Sequence, residues 1–358
     1  MHAPTAYQYT KPVATSLDAP LALRDSFGRV ARDLRMSLTD RCNLRCTYCM
    51  PAEGLEWLPG EDILSDSEVK RLIDIGVGLL GIREIRFTGG EPLLRQSLAE
   101  LLAHAHALRT DEDKPPRLSL TTNALGLDKK AGALVEAGLE RVNISLDSLD
   151  PQTYARISGR DRLGDVLRGI DAAIAAGLHP IKVNAVAMRG VNEQGLCDLL
   201  RFCLNKGLQL RIIEHMPLGP QHTWSRAQIL SAEDVLHILG TEFELNKVVN
   251  EDDPHAPARI WIIREGANNQ AGTVGIIASV SKPFCANCDR TRITADGQMR
   301  SCLFARVESD LRGPLRAGAS DQEIAEIWAG GMAAKKAGHG IDDPGFVQPT
   351  RFMSEIGG

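Results

Sequence analysis

The sequence predicts an α/β fold: an incomplete (β/α)6 TIM-type barrel followed by a smaller carboxyl-terminal α+β domain. Short apolar runs alternate with amphipathic runs through roughly the first two thirds of the chain, which indicates strands joined by helices. After about residue 240 a polar, proline-containing stretch replaces this alternation. We therefore expect a barrel over 26–240 and a smaller domain over 241–358, with 1–25 as an arm that is either disordered or packed on the barrel.

Six strands are predicted in order, at 33–39, 83–88, 117–122, 141–147, 181–188 and 208–215. The helices predicted between them are 65–80, 97–108, 129–138, 165–177 and 195–207. The first begins at about Ser65, because Ser65 and Glu68 have the spacing of a capping box. In the smaller domain, 259–266 and 273–280 are β-rich and a turn is expected at Asp296 and Gly297. Six such repeats can curve into an incomplete barrel or spread as an open sheet.

Composition and charge favour a cytoplasmic protein. Of the 358 residues, 43% are hydrophobic and 24% charged, which is ordinary for a globular chain. No apolar run approaches the roughly eighteen residues that cross a bilayer, and the first twenty residues lack the pattern of a signal peptide. The net charge of −5 argues against a nucleic-acid or membrane partner. An anionic substrate would therefore need arginines concentrated locally.

Polar residues cluster where the predicted strands end. The carboxyl ends of parallel strands meet at one edge of a sheet or one mouth of a barrel, so these clusters are expected to converge on the active site. In strand order they lie at 42–49, 89–92, 121–123, 145–147 and 214–216.

Six of the eight cysteines form two triplets, each one ligand short of a four-ligand site. A metal centre with three protein ligands leaves a position for a ligand that is not protein. Disulfides are the alternative, although a chain of this length needs no covalent staples and close-spaced thiols more often bind metal. Zinc is disfavoured at the first triplet because no fourth cysteine or histidine lies within a few tens of residues. The triplets are Cys42, Cys46 and Cys49, then Cys285, Cys288 and Cys302; Cys197 and Cys203 are interpreted as apolar helix residues.

Two arginines follow the second triplet at alternate positions. In an extended segment Arg290 and Arg292 would project to the same side. Guanidinium groups bind phosphate through paired hydrogen bonds, so beside a vacant metal position they predict an anion receptor. The alternative is two solvated arginines.

The first triplet resembles the radical S-adenosylmethionine (SAM) superfamily, which combines C-x3-C-x2-C, an aromatic residue before the last cysteine (here Tyr48) and GGEP after the second strand. Motif order along nearly the whole chain, from DLRMSLTDRCNLRCTYCMP to the final FMSEIGG, is similar to the GTP 3′,8-cyclase family. The resemblance implies a lyase that converts GTP to (8S)-3′,8-cyclo-7,8-dihydroguanosine 5′-triphosphate, the first step of molybdenum cofactor biosynthesis. It further implies two 4Fe-4S clusters, SAM as cofactor, an electron donor, a downstream cyclic pyranopterin-forming enzyme and a homodimer.

The resemblance also assigns residues. For SAM it implies contacts from Tyr48, Gly90, Ser145 and Met216, with 89–92 near the methionine amino group. For GTP it implies contacts from Arg35, Arg86, Thr121, Lys182, Arg290, Thr291 and Arg292. Catalytic roles are implied for Arg290, Arg292, Arg211 and the terminal Gly357 and Gly358, a tail that reaches into the active site. The first cluster would bind SAM at its open iron and the second would bind guanine.

One position departs from the family pattern: Ala124 stands where TTNG has glycine. If that position needs positive φ, alanine costs about 1 kcal/mol there. Two rival functions stay open, namely another two-cluster radical enzyme that modifies a peptide or carbohydrate, and a non-catalytic iron-sulfur carrier or zinc module. A carrier would close its clusters with a fourth cysteine and would not need six βα units.

Overall fold

The structure, a computed structural model, describes residues 21–220, 224–248, 254–265 and 270–357. Its strands are β1 (Asp33–Ser37), β2 (Glu84–Thr88), β3 (Arg117–Thr122), β4 (Arg141–Ser145), β5 (Ile181–Ala187), β6 (Gln209–Glu214), β7 (Glu244–Lys247), β8 (Arg259–Glu265), β9 (Gln270–Ile277), β10 (Arg290–Ile293), β11 (Gln298–Arg300) and β12 (Ser309–Asp310). Its helices are α1 (Asp66–Gly78), α2 (Leu98–Ala107), α3 (Ala131–Glu136), α4 (Pro151–Ser158), α5 (Leu163–Ala175), α6 (Leu196–Asn205), α7 (Ala232–Leu239), α8 (Arg312–Arg316), α9 (Asp321–Ala333) and α10 (Met353–Ile356).

The six predicted strands and the five helices between them are confirmed. The capping box at the start of α1 is also present, with Glu68 N donating to Ser65 Oγ and Ser65 N donating to the Glu68 carboxylate. Helix α4 was not predicted. Its start carries an ordinary signal, because the Asp150 side chain caps Thr153 N and Pro151 occupies the first helical position.

The described strands form one mostly parallel sheet in the order β12-β11-β10-β1-β2-β3-β4-β5-β6-β9-β8-β7. Strand β10 pairs parallel with β1, and β9 pairs parallel with β6. Both edges of the six-stranded barrel sheet therefore continue into the carboxyl-terminal segment. This arrangement satisfies backbone groups that β1 and β6 would otherwise present unpaired at the sheet edges. It also carries the residues after Cys288 directly to the side of the first strand.

The two faces of the barrel strands differ in polarity. Residues that point outward are apolar and fully buried beneath the helices, as Leu34, Phe87 and Leu120 illustrate. The alternate residues, such as Arg35, Arg86 and Thr121, line an interior cavity instead. A polar interior cannot act as a hydrophobic core, so this face of the sheet is available for a ligand.

Part of the predicted amino-terminal arm lies within the described residues. Leu23 is fully buried, and Arg24 forms a β-bridge with Val30. Residues 21–25 are thus packed against the barrel, which is the second of the two alternatives predicted for the arm. Residues 1–20 lie outside the described ranges. Across the ranges that the structure describes, no helix is both long enough and apolar enough to span a membrane.

We expect Gly169→Ala to destabilise the barrel. Gly169 lies in α5, and a Cβ there would be 2.5 Å from the carbonyl oxygen of buried Ala124. Such overpacking costs about 1 to 3 kcal/mol. Gly164→Ala in the same helix is the matched control, since its nearest neighbour is Arg168 Nη1 at 3.7 Å; it should raise stability by up to about 1 kcal/mol. Anaerobic urea unfolding checks both, and equal stability of the two variants would contradict the packing argument.

Candidate active site

A cavity of about 310 Å³ lies at the carboxyl ends of the barrel strands. All five predicted polar clusters contribute to its lining, as do all six cysteines of the two triplets. The predicted convergence on one rim is therefore confirmed. The second triplet reaches the same cavity because β10 runs beside β1.

The first triplet occupies the loop after β1. Cys42 Sγ accepts hydrogen bonds from Leu44 N at 3.4 Å and from Asn123 Nδ2 at 3.8 Å. Burial raises the pKa of the Cys42 thiol to about 11 and that of Cys49 to about 12, with Cys42 adding to the effect on Cys49. Since thiolates are the metal-binding form, a cation must stabilise three of them in this loop.

Two glycines bring the loop after β2 against the cysteine loop. A Cβ at Gly89, where φ is +149°, would lie 2.4 Å from Thr39 O, and a Cβ at Gly90 would lie 2.2 Å from Arg41 O. Gly90 N also donates to Thr39 O at 2.7 Å. No side chain fits at either position, so the GGEP backbone lines the cavity beside the cysteines.

Glu91 links this loop to the end of β3. Its carboxylate accepts hydrogen bonds from Leu93 N, Asn123 N and the Thr122 hydroxyl, at 2.6 to 3.0 Å. Burial raises the pKa of Glu91 to about 7, although these donors oppose the shift. The residue therefore fixes the positions of two loops at the rim.

Tyr48 is held by Asp147 at the end of β4. The phenol donates to Asp147 Oδ2 at 2.9 Å, and Asp147 Oδ1 accepts from Val186 N at 2.8 Å. Burial raises the pKa of Asp147 to about 6, while the hydrogen bonds lower it. These hydrogen bonds thus hold Tyr48, in the loop of the first triplet, against the carboxyl end of β4.

The second triplet lies just before β10, at Cys285 and Cys288, and just after β11, at Cys302. Burial raises the pKa of Cys285. At Cys288 burial also acts to raise the pKa, but the positive charges of Lys335 and Arg290 outweigh it, so the pKa of that thiol is lowered. The surroundings of Cys288 therefore favour its thiolate form.

The arrangement of each triplet is compatible with a 4Fe-4S cluster. All eight cysteines lie within the described ranges, and all are free thiols, so the disulfide alternative is not realised. Within these ranges no three His, Cys, Asp or Glu side chains converge closely enough to hold one metal ion. The thiols of each triplet are still near enough to shift one another's pKa. A 4Fe-4S cluster binds its thiolates on separate iron corners, so its ligands stand farther apart than those of one ion.

Five arginines line the cavity, and the negative charges of the described acidic residues nearby neutralise their positive charge only in part. Burial lowers the pKa of Arg86 well below its usual range and that of Arg292 to about 9, with Arg35 adding to both effects. The Nε atoms of Arg35 and Arg86 are buried and have no hydrogen-bond partner among the described residues. Closely spaced buried cations with unused donors form a receptor for an anion. The set is Arg35, Arg86, Arg211, Arg290 and Arg292.

Asp33 is the acidic residue within this group. Its Oδ2 lies 3.3 Å from Arg35 Nη2 and 3.6 Å from Arg290 Nε. Burial alone would raise the pKa of Asp33, but the surrounding arginines outweigh it and hold the pKa below its usual range. One carboxylate thus keeps several guanidinium groups together while leaving a net positive charge.

The carboxyl-terminal tail enters the cavity region. Arg292 Nη1 donates to Gly357 O, and Ser37 Oγ donates to Ile356 O at 3.3 Å. Gly357 has φ of +85°, and a Cβ there would lie 2.1 Å from Ser37 Oγ. The tail is therefore packed at the end of β1 in a conformation that favours glycine. Gly358 lies outside the described residues.

Two of the predicted GTP contacts do not line the cavity. The Thr291 side chain points to the opposite face of β10, because alternate strand residues face opposite sides, and its hydroxyl accepts from Trp328 Nε1 at 2.9 Å. The side chain is thus directed away from the cavity, and the contact of Thr291 with GTP stays a prediction. Lys182 shares a face with Asn184 but lies two residues farther from the carboxyl end of β5. Ten of the predicted SAM, GTP and catalytic residues do line the cavity: Arg35, Tyr48, Arg86, Gly90, Thr121, Ser145, Arg211, Met216, Arg290 and Arg292.

Ala124 has the positive φ expected at this position, 64°. It is fully buried, and it packs against Gly169 of α5. The loop after β3 therefore keeps the backbone conformation typical of glycine, and the buried methyl group offsets part of the strain.

Three functional contacts were missed in the sequence. Asp33 and Arg35 are alternate residues of β1 and therefore lie on the same face of the sheet. This spacing could have identified Asp33 as a partner of the arginines from the sequence. Asn123 was noted only as part of a rim cluster, and its contact with Cys42 depends on the fold of two loops. Lys335, which contacts Cys288 Sγ, carries no signal because lysines near helix ends are common.

Two family models match the chain. Residues 36–203 match the Radical SAM superfamily, and residues 208–341 match Molybdenum Cofactor Synthesis C. The boundary between the two matches falls near β6, the last strand of the predicted barrel.

Curated relatives match almost the full length. GTP 3′,8-cyclase of Corynebacterium glutamicum is 58% identical over 342 residues, which cover 95% of this chain and 90% of that protein. GTP 3′,8-cyclase of Mycolicibacterium smegmatis is 55% identical over 343 residues, covering 95% and 92%. Among solved structures, Streptococcus suis SuiB bound to S-adenosylmethionine matches with a TM-score of 0.58 at 13% identity. That match covers 86% of this chain and 66% of SuiB, and it shows the fold alone.

Proposed function

This chain belongs to the GTP 3′,8-cyclase family of the radical SAM superfamily, and on that premise we propose that its cavity holds SAM against the first cysteine triplet and GTP against the second. The chain is a radical SAM lyase that acts in the first step of molybdenum cofactor biosynthesis. It uses SAM and a 4Fe-4S cluster, as its superfamily does. A second 4Fe-4S cluster at Cys285, Cys288 and Cys302 is part of the proposal.

The observation that carries the proposal is that both triplets and five arginines line a single cavity. What the first cluster supplies when bound is an electron for cleavage of SAM, which gives the radical that removes hydrogen from the ribose. For intramolecular ring closure, the ribose and the guanine must both lie within that one cavity. A chain that used its second cluster only to carry electrons would not need arginines beside it.

SAM is assigned to the part of the cavity beside the first cysteine triplet. The GGEP backbone next to the first triplet suits the methionine end, because Gly89 and Gly90 leave no side chain in the way. Tyr48 and Ser145 border this region, and Met216 offers an apolar surface for the adenine. Glu91 positions the two loops that carry these groups.

GTP is assigned to the part of the cavity beside the second cysteine triplet. The arginine group would hold the triphosphate, with Arg290 and Arg292 on β10 facing Arg35 on the adjacent strand. Each charge-assisted hydrogen bond contributes about 1.5 to 3 kcal/mol. Thr121 borders this region, whereas Lys182 would contact GTP only if the nucleotide extends deeper into the barrel. Arg211, whose Nε donates to Gln209 Oε1 at 3.2 Å, completes the positive surface.

The function is tested by anaerobic incubation of the reconstituted protein with GTP, SAM and dithionite, followed by mass spectrometry. The expected products are 5′-deoxyadenosine, which carries the hydrogen atom removed from the ribose, and an isomer of GTP. The product is an isomer because the cyclised radical takes up one electron, supplied by the reductant, and one proton in place of that hydrogen atom. Deoxyadenosine without any GTP isomer would contradict the cyclase assignment and favour another two-cluster radical enzyme. The electron donor, the downstream cyclic pyranopterin-forming enzyme and a homodimer stay predictions.

We expect deletion of Gly357 and Gly358 to lower the rate of cyclisation while iron content is unchanged. Gly357 O accepts a hydrogen bond from Arg292, so the tail helps to organise the arginine side of the cavity rather than to bind a cluster. Gly357→Ala should act in the same direction, because its Cβ would collide with Ser37 Oγ. Gly345→Ala is the matched control, with no atom within 4 Å of its new Cβ. Turnover of both tail variants equal to that of the control would refute this role.

A further inference from the structure

Lys335 is a buried lysine next to the second cysteine triplet. It follows the carboxyl end of α9, and only 3% of its surface is exposed. An ammonium group has three donors, and Lys335 Nζ directs them to Arg290 O at 2.9 Å, Cys288 O at 3.2 Å and Cys288 Sγ at 3.4 Å. Every donor of this side chain is thus directed at the segment that carries Cys288 and Arg290.

The charge of Lys335 has no carboxylate partner in the described part of the chain. A buried cation is stable when an anion lies close to it. Of its three acceptors, two are neutral carbonyl oxygens and the third is the sulfur of Cys288. The thiolate of Cys288 is therefore the counter-charge that this site provides.

A half-buried cation, Arg29, holds the segment that directly follows Lys335. Arg29 donates to Lys336 O at 2.6 Å, to Ala337 O at 2.9 Å and to Cys285 O at 2.6 Å. The carboxylate of Asp25 pairs with Arg29 Nε at 2.5 Å. Arg29 thereby ties the segment after α9 to the backbone of Cys285. These hydrogen bonds keep the backbone of Lys335 close to the second triplet.

The geometry points to Lys335 as a positioning residue for the second cluster: it holds Cys288 in place by an N–H···S hydrogen bond and makes the cluster easier to reduce. This inference rests on the proposed second cluster. One-electron reduction adds one negative charge to a cluster, and a fixed positive charge and hydrogen bonds to its sulfurs stabilise the reduced form. Loss of Lys335 should therefore shift the reduction potential to more negative values.

The test uses the full chain with Cys42, Cys46 and Cys49 changed to Ala, so that only the second cluster is measured. Lys335→Met removes the charge at similar volume, and Lys335→Gln keeps amide donors without the charge. Lys336→Met is the matched control, because Lys336 is exposed. Iron content, circular dichroism and an EPR-monitored titration with dithionite are recorded for each variant.

We expect a more negative potential in the Met and Gln variants and an unchanged potential in the Lys336 control. Loss of iron from the Lys335 variants with the fold intact would also support the anchoring of Cys288 by Lys335. If Lys335→Met does not fold, the potential and iron content of Lys335→Gln provide the test. Potential and iron content equal to the control would overturn the role of Lys335. A parent chain that binds no cluster at all would instead refute the proposed second cluster.

Discussion

We expect Cys46→Ala to abolish SAM cleavage, with production of 5′-deoxyadenosine falling to the background level. Cys46 is the central cysteine of the first triplet, and burial raises its pKa well above the usual value. A cluster with three thiolate ligands that loses one of them exposes a second iron and is no longer held in one orientation toward SAM. Because the adenosyl radical initiates the reaction, GTP should then remain unconverted.

The measurement is chromatographic quantification of 5′-deoxyadenosine after anaerobic reconstitution with dithionite. Cys203→Ala is the matched control, since Cys203 is a fully buried free thiol in α6 and does not line the cavity. The control should cleave SAM normally even if its stability falls slightly. Normal deoxyadenosine production by Cys46→Ala would overturn the assignment of the first triplet.

Much of the barrel could be predicted because its pattern is local. The alternation of apolar runs identified each of the six strands, and the clusters at their carboxyl ends led directly to Tyr48, Gly90 and Met216 on the cavity wall. Parallel sheets impose this relation, because every strand end then meets at one rim. The orientation of Arg290 and Arg292 followed from the same alternation, which also explains why Thr291 faces the other way.

What could not be predicted depends on contacts between distant segments. Strand β10 has only four residues, and nothing in them specifies that they pair with β1. That pairing moves the second triplet to the cavity and places Asp33 beside Arg290. Lys335 reaches Cys288 only after α9 has packed against the sheet. Local sequence encodes each element, whereas the active site is completed by long-range pairing.

Arg292→Ala should weaken GTP binding by roughly 10- to 100-fold while SAM cleavage remains possible, since one or more charge-assisted hydrogen bonds to phosphate are lost. Arg292 is buried and lies beside Arg35 and Arg290, so the field on an anion there is strong. Arg292→Lys keeps the charge but not the paired donors, and we expect an intermediate affinity.

Equilibrium binding of GTP to the anaerobic protein measures this effect, with deoxyadenosine production as a separate assay of the first cluster. Arg306→Ala is the matched control, because Arg306 is exposed and lies only four residues after Cys302. Arg292 also donates to Gly357 O, so its loss could act through the tail. The two causes separate: deletion of the tail should lower turnover with little change in GTP affinity, whereas Arg292→Ala should change affinity itself. GTP affinity equal to that of Arg306→Ala would exclude Arg292 from the triphosphate site.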